Sequence, residues 1–245
     1  MSGLGSLLAL GFWLGVRHAA DADHVVAVST FVARQRRLGA AWLLGAFWGL
    51  GHTVTIFLVG AAIILLKITI PPRLGLGMEL AVACVLVVLG ALNLGGARLG
   101  VAGLMSHSHD GSPLHSHAAE TDCNWLGRTF GRGALYQFLR SGAVGLVHGL
   151  AGSAAIALLV LAAVPSPRAG LLYLAVFGAG TLAGMLALSA LMEASMLFMM
   201  RWWKTADRVL TAGTGLVSLA FGLYLLWDIG IVNGLFTSAP HWTPH

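Results

Sequence analysis

The residues best suited to chemistry lie close together near the start of the chain. Five ionisable side chains fall within eight consecutive positions: Arg17, His18, Asp21, Asp23 and His24. The segments on either side, 1–16 and 25–33, contain no charged residue. Ionisable groups within apolar spans are costly, and they usually face the protein interior along a substrate path. Imidazole and carboxylate together bind divalent transition metals, so the cluster predicts a metal-handling site inside a transmembrane helix.

The geometry of a straight helix divides these side chains into two groups. At about 100° per residue, His18, Asp21 and His24 share a face about 120° wide. Asp23 then lies away from that face and would orient a histidine or pair with Arg17. A broken or widened helix would bring Asp23 to the ion as well, so both aspartates remain candidates. The alternative is a structural polar network without a ligand, which the cost of holding these charges in a span disfavours.

Histidines in two other apolar segments are the next candidates. A single membrane histidine such as His52 is more often a hydrogen-bonding residue between helices. The partly formed site on the first helix favours a role for His52 as a metal ligand. His148 is either a counterpart of His18 or a structural donor, and the sequence leaves both open. Thr53 and Asn93 are weaker candidates. Without a thiolate or thioether cluster nearby, this donor set suits Ni²⁺, Co²⁺, Zn²⁺ or Cu²⁺ and argues against Cu⁺.

A second group of histidines lies in a polar segment in the middle of the chain. Its four members fall within eleven positions: His107, His109, His115 and His117. A tract of this kind predicts a transient metal store, and the alternative is a disordered polar linker whose histidines are incidental. In either case the tract lies outside the apolar spans and is not the intramembrane site.

The composition identifies an integral membrane protein. The chain of 245 residues is 58% hydrophobic and 9% charged, whereas soluble domains carry roughly 25% charged residues. The net charge of +5 does not indicate nucleic-acid binding, because the basic residues are spread between apolar spans. We therefore predict an all-α integral membrane protein with six transmembrane helices, within Leu4–Phe31, Ala40–Leu66, Glu79–Arg98, Ser141–Pro167, Ala169–Met192 and Val209–Trp227.

The predicted helices divide into two similar halves. Segment 18–24 weakly resembles 147–153, and 47–53 resembles 177–181, which indicates two inverted repeats with the substrate near their interface. The alternative is chance similarity among Gly- and Ala-rich helices. Lys and Arg concentrate after the first, third and fifth helices, which predicts that these loops are cytoplasmic and both termini are outside. We expect three parts: a three-helix repeat at 1–100, a cytoplasmic His-rich loop at 101–137 and a second three-helix repeat at 138–245.

The charged cluster is also familiar as a motif. Segment 17–24 resembles the His-x4-Asp-His motif of the nickel/cobalt transporter (NiCoT) family, and 50–54 resembles that family's second motif on the next helix. The family imports Ni²⁺ or Co²⁺ across the cytoplasmic membrane, often to supply urease or hydrogenase. Typical members have eight spans and an acidic motif in the second half, whereas this chain has Val147–Ser153 there and looks more like the short, urease-accessory-type branch. The resemblance implies that the metal-handling residues are His18, Asp23, His24 and His52.

The leading hypothesis is a secondary permease, not an enzyme, that imports Ni²⁺ or Co²⁺ across a bacterial-type cytoplasmic membrane. The metal ion is then the substrate, no prosthetic group is expected, and the partners are the ion, the lipid bilayer and, indirectly, urease or hydrogenase maturation. Two alternatives keep the metal role: an efflux permease, and a metal-delivery component that depends on a partner. An intramembrane metalloenzyme is disfavoured because the sequence has no His-Glu-x-x-His motif, and no Gly-x4-Gly-Lys-Ser/Thr motif indicates ATP hydrolysis.

Overall fold

The computed structural model describes residues 2–33, 41–67, 70–95, 136, 138–151, 166–202 and 206–242. Within these ranges all regular secondary structure is helical. We number the helices in chain order: α1 (Ser2–His18), α2 (Ala22–Val32), α3 (Ala41–Leu66), α4 (Pro72–Leu94), α5 (138–151), α6 (Pro167–Trp202) and α7 (Ala206–Trp227), which continues as a π-helical turn (Asp228–Val232).

Among the described residues, four helical segments are long and apolar enough to cross a bilayer: Ala41–Leu66, Pro72–Leu94, Pro167–Trp202 and Val209–Val232. They correspond to the second, third, fifth and sixth predicted spans and confirm the prediction of a helical membrane protein. Of the fourth predicted span, residues 141–151 are helical, and 152–165 lie outside the described residues. The count of six spans therefore stays a prediction.

The first predicted span, Leu4–Phe31, consists of two helices and not one, which agrees with the broken-helix alternative that the sequence left open. Helix α1 ends at His18 and α2 begins at Ala22. The turn between them is closed by the backbone N–H of Asp21, which donates to the His18 carbonyl at 3.0 Å. Asp21 itself has an extended backbone at the N-cap of α2, a position that aspartate favours. Asp21 makes no side-chain capping hydrogen bond, because its carboxylate accepts from the His18 ring instead.

Other helix ends also differ from the prediction, most clearly in α4 and α6. Helix α4 begins at Pro72, before the predicted start at Glu79, because proline suits the first turn of a helix. Helix α6 runs on to Trp202, past the predicted end at Met192. The charge of Glu193 suggested a boundary there, but glutamate is a good helix former and does not interrupt the backbone ladder.

Helix α6 packs along both α1 and α3, while α4 packs along α7 and α2 contacts α3, α4, α6 and α7. Small residues allow these close approaches, as is common between membrane helices. A Cβ atom placed on Gly184 of α6 would lie 2.6 Å from the Cβ of Ala19, in the turn between α1 and α2. A Cβ placed on Gly149 of α5 would lie 2.6 Å from the carbonyl oxygen of His52 on α3. Little side-chain volume therefore separates the helices that meet next to the break, which are α1, α3, α5 and α6.

Buried side-chain hydrogen bonds fix the remaining helices. The Asn93 amide on α4 donates to the Thr30 carbonyl on α2 at 3.1 Å, and the Thr53 hydroxyl on α3 donates to the Gly178 carbonyl on α6 at 3.1 Å. The predicted inverted repeat and the three-part division of the chain stay predictions. Of the predicted loop 101–137, only residue 136 lies within the described part of the chain.

Candidate metal site

Three histidines from three different helices meet at the break. His18 is the last residue of α1, His24 lies in the first turn of α2, and His52 lies in the middle of α3. Ligand nitrogens of the three rings all lie within 4.8 Å of one another. The Nε2 atoms of His18 and His52 are 3.1 Å apart. Two nitrogens that bind one ion side by side, each at about 2.1 Å, are about 3 Å apart, so this pair already has the spacing of ligands.

The break in the helix is what brings these rings together. It puts the carbonyl end of α1 beside His18, and this end carries partial negative charge that favours a cation. It also turns α2 so that His24 packs against both other rings, with ring centroids 4.9 Å from His18 and 4.8 Å from His52. Discontinuous helices with exposed terminal dipoles are a common way to build an ion site within a membrane protein.

Each aspartate of the motif binds the Nδ1 atom of a histidine. Asp21 Oδ2 accepts from His18 Nδ1 at 2.7 Å, and Asp23 Oδ1 accepts from His24 Nδ1 at 3.0 Å. A carboxylate in this position fixes the ring orientation and the tautomer, and it leaves Nε2 free as a ligand. A straight helix would place the two aspartates on different faces. That geometry does not apply here, because the helix breaks between His18 and the two aspartates.

The site is asymmetric in its exposure. The side chains of Asp21 and His18 are 50% and 17% exposed, whereas His24 is 2% exposed and His52 is completely buried. Asp21 and His18 therefore lie at the surface of the helical bundle, and His24 and His52 lie behind them.

Several buried polar atoms in this region have no hydrogen-bond partner among the described residues. They are His24 Nε2, His52 Nδ1, His148 Nε2 and Trp48 Nε1. A buried polar atom without a partner costs about 1–3 kcal/mol, and a bound cation or water relieves that cost for an imidazole lone pair. The orphaned nitrogens therefore fit the interpretation that the cluster binds an ion.

The secondary candidates from the sequence take different places. His148 on α5 is 1% exposed, and its ring centroid lies 5.4 Å from that of His24. Thr53 and Asn93 join helices through backbone carbonyls and lie outside the three-histidine set. Arg17, which the sequence could pair with an aspartate, is exposed. Both aspartates bond to histidines instead. The histidine-rich tract lies outside the described residues.

Two aromatic residues were missed by the sequence reasoning. Trp48 is 1% exposed, and its ring centroid lies 4.8 Å from that of His148. Phe177 of α6 lies 5.6 Å from His18 by the same measure. Trp48 could have been found, because it precedes His52 by four residues and so shares its helix face. Phe177 carried no comparable signal near the motif.

Together these features define a class: a helical membrane protein in which an interrupted helix holds a cluster of buried histidines. The chain is 36% identical over 231 residues to the urease accessory protein UreH of Bacillus sp. (strain TB-90), a match that covers 94% of this chain and 95% of that protein. The chain belongs to the family of this urease accessory protein, which confirms the predicted resemblance to the short, urease-accessory-type branch. No protein-family profile matches the chain, and no solved structure matches it.

Proposed function

We propose that this protein is a secondary transporter that imports Ni²⁺ or Co²⁺ across the cytoplasmic membrane, with the ion as its substrate and no prosthetic group. The observation that carries the proposal is the set of three histidine nitrogens within 4.8 Å at the break between α1 and α2. Such a set is costly to maintain inside an apolar helical protein unless it serves an ion.

The donor chemistry supports Ni²⁺ or Co²⁺ over several other ions. Neutral imidazoles suit borderline divalent metals, whereas Mg²⁺ and Ca²⁺ prefer oxygen ligands and Cu⁺ prefers sulfur. Cys84 lies on α4, away from the three-histidine set, so it adds no thiolate to it. The relative's name links it to urease, and we propose that this chain likewise supplies nickel for the maturation of urease or, as the NiCoT resemblance implies, hydrogenase.

The path of the ion follows from the exposure of the site. The ion first meets Asp21 and His18, loses water to the histidines, and is then held by His18, His24 and His52. Because Asp21 accepts from Nδ1–H of His18, His18 Nε2 accepts from His52 Nε2–H in the 3.1 Å contact. The ion binds His52 Nε2 once this proton has moved to His52 Nδ1, so that His52 stays a neutral imidazole. We further propose six spans in two inverted repeats, both termini outside, and a histidine-rich cytoplasmic loop that receives the ion.

The test is uptake of radioactive nickel by metal-starved cells that express the full chain. His18→Ala and His52→Ala are expected to abolish uptake at matched membrane levels, because each removes one member of the 3.1 Å pair. His241→Ala is the matched control, since His241 is an exposed histidine in the C-terminal segment. Uptake by both site variants at the wild-type rate, with nickel and with cobalt, would contradict the proposed site.

The same assay distinguishes the alternatives. A chain that lowers cellular nickel through the same histidines is an efflux permease, so that the site stands and the direction is reversed. Reconstitution of the purified chain in liposomes separates an autonomous transporter, which moves the ion alone, from a delivery component, which needs a partner.

A further inference from the structure

We infer that His148 and His24 form a second, deeper position for the metal ion, which the ion occupies after it leaves His18 and His52. The inference rests on the proposed function, because it assumes that a metal ion enters the three-histidine set. It assigns a role to the second half of the chain, since α5 carries His148.

The chemistry of His148 matches that of His24. The Nδ1–H of His148 donates to the Val144 carbonyl at 3.2 Å, as the Nδ1–H of His24 donates to Asp23 at 3.0 Å. In a neutral imidazole this leaves an unprotonated Nε2 in each ring. Both Nε2 atoms are buried and have no partner among the described residues. Two orphaned lone pairs of the same kind therefore lie on neighbouring rings.

The spacing of the two rings also fits one ion. Two imidazoles that bind the same ion, with nitrogens at about 2.1 Å, have ring centroids about 4.5–6 Å apart. The centroids of His24 and His148 are 5.4 Å apart, with the rings inclined at 62°. His148 is not one of the three histidines whose ligand nitrogens all lie within 4.8 Å of one another, and we infer a separate position that shares His24.

The second position is the more enclosed of the two. His148 and His24 are 1% and 2% exposed, whereas the His18 side chain is 17% exposed. Trp48 packs against His148, at 4.8 Å between ring centroids, and against His24 at 6.5 Å, and Phe31 packs against Trp48 at 5.6 Å. An ion between His24 and His148 thus lies against an aromatic layer, and it no longer contacts His18, which is partly exposed. This arrangement is expected of an occluded step between capture and release.

The positioning of His148 depends on close packing between α5 and α3. Gly145 and Gly149 flank it on α5 and abut the backbone of Trp48 and His52. A side chain at either glycine would push α5 away from α3, and with it the His148 ring away from His24. The two glycines thus hold the ring at the distance that the second position requires.

The experiment compares two amide substitutions at His148 in the full-length protein. His148→Asn retains an N–H near the position of Nδ1, so the hydrogen bond to Val144 is preserved while the Nε2 ligand is lost. His148→Gln places an amide near the position of Nε2. For each variant we would measure nickel uptake in cells and equilibrium Ni²⁺ affinity of the purified protein, with His241→Ala as the control.

The expected result is a separation of transport from binding. His148→Asn lowers the maximal uptake rate by about tenfold or more, whereas the Ni²⁺ affinity of the intact three-histidine set changes by less than about threefold. His148→Gln is expected to recover part of the uptake rate, because an amide oxygen is a weak ligand. Unchanged binding also shows that each variant is folded.

Three results would overturn the inference. Uptake by His148→Asn at the wild-type rate means that the ring serves only as a donor to Val144. An equal loss of uptake and of equilibrium affinity means one four-histidine site and no second position. Greater recovery by Asn than by Gln assigns the role to Nδ1. Failure of the wild-type chain to bind or move nickel would instead refute the proposed function itself.

Discussion

The two aspartates of the motif provide the sharpest quantitative test of the site. Both accept a hydrogen bond from Nδ1 of a histidine, at 2.7 Å for Asp21 and 3.0 Å for Asp23. Judged by distance alone, Asp21 would matter more. Burial reverses that expectation, because Asp21 holds a partly exposed ring and Asp23 holds a ring that is 2% exposed.

The magnitudes follow from what replaces each carboxylate. In Asp23→Ala, the Nδ1–H of buried His24 loses its partner, which costs about 1–3 kcal/mol. This cost is present with and without the ion, so the loss of affinity comes from the lost orientation of the ring and is expected to be roughly 10–100-fold. In Asp21→Ala, water replaces the carboxylate, because the Asp21 side chain is 50% exposed. An exposed pair of this kind contributes about 1 kcal/mol or less, so the affinity falls by less than about fivefold.

The assay is equilibrium binding of Ni²⁺ to the purified full-length protein, followed by competition with a chelator of known affinity. Asp23→Asn is the control for charge, because its amide oxygen still accepts from His24, and we expect a smaller loss than for Asp23→Ala. A larger loss in Asp21→Ala than in Asp23→Ala would refute the reasoning from burial. Equal wild-type affinity in both alanine variants would show that neither carboxylate supports a ligand.

Three further predictions concern packing, the loop and the C-terminal segment. Gly149→Ala should lower both the melting temperature and nickel uptake, because its Cβ would crowd the His52 carbonyl oxygen at 2.6 Å, whereas Gly77→Ala, with open space around it, should lower neither. Replacement of all four histidines within 107–117 by alanine should leave initial uptake unchanged and reduce the nickel bound per purified chain. Trp242→Phe removes the 2.8 Å hydrogen bond from Nε1 to Glu79, and chemical denaturation should show a loss of about 1–2 kcal/mol with uptake unchanged.

The sequence was sufficient to single out three histidines whose ligand nitrogens lie within 4.8 Å of one another in the structure. Charged and imidazole side chains inside an apolar run have few low-energy places other than the protein interior, so His18, His24 and His52 could be grouped before any fold was known. The class of the fold was predictable for a related reason. In a bilayer, the backbone N–H and C=O groups of a long uncharged segment find hydrogen-bond partners within the segment when it forms a helix. Four of the predicted spans are such helices.

The break between α1 and α2 could not be located from the sequence. It contains neither proline nor glycine, and Ala19 and Ala20 are the best helix formers of all residues. What stabilises the turn comes from elsewhere in the chain or from side-chain geometry. Ala19 is 1% exposed and abuts Gly184 of α6, which is distant in sequence, and Asp21 bonds to the His18 ring. Tertiary contacts therefore override a local helical preference at the site itself.

Under the proposed function, the two aspartates of the motif would also balance the charge of the ion. Neutral imidazoles bind an ion without changing the total charge, so a divalent cation would bring two uncompensated positive charges into a buried site. Asp21 and Asp23 supply two negative charges, each one hydrogen bond away from a ligand ring. The complex with a divalent ion is then neutral, which removes much of the cost of a charge at membrane depth, whereas a monovalent ion would leave an excess negative charge. Under the proposed function, the imidazoles would therefore select the kind of metal and the carboxylates would favour a divalent charge.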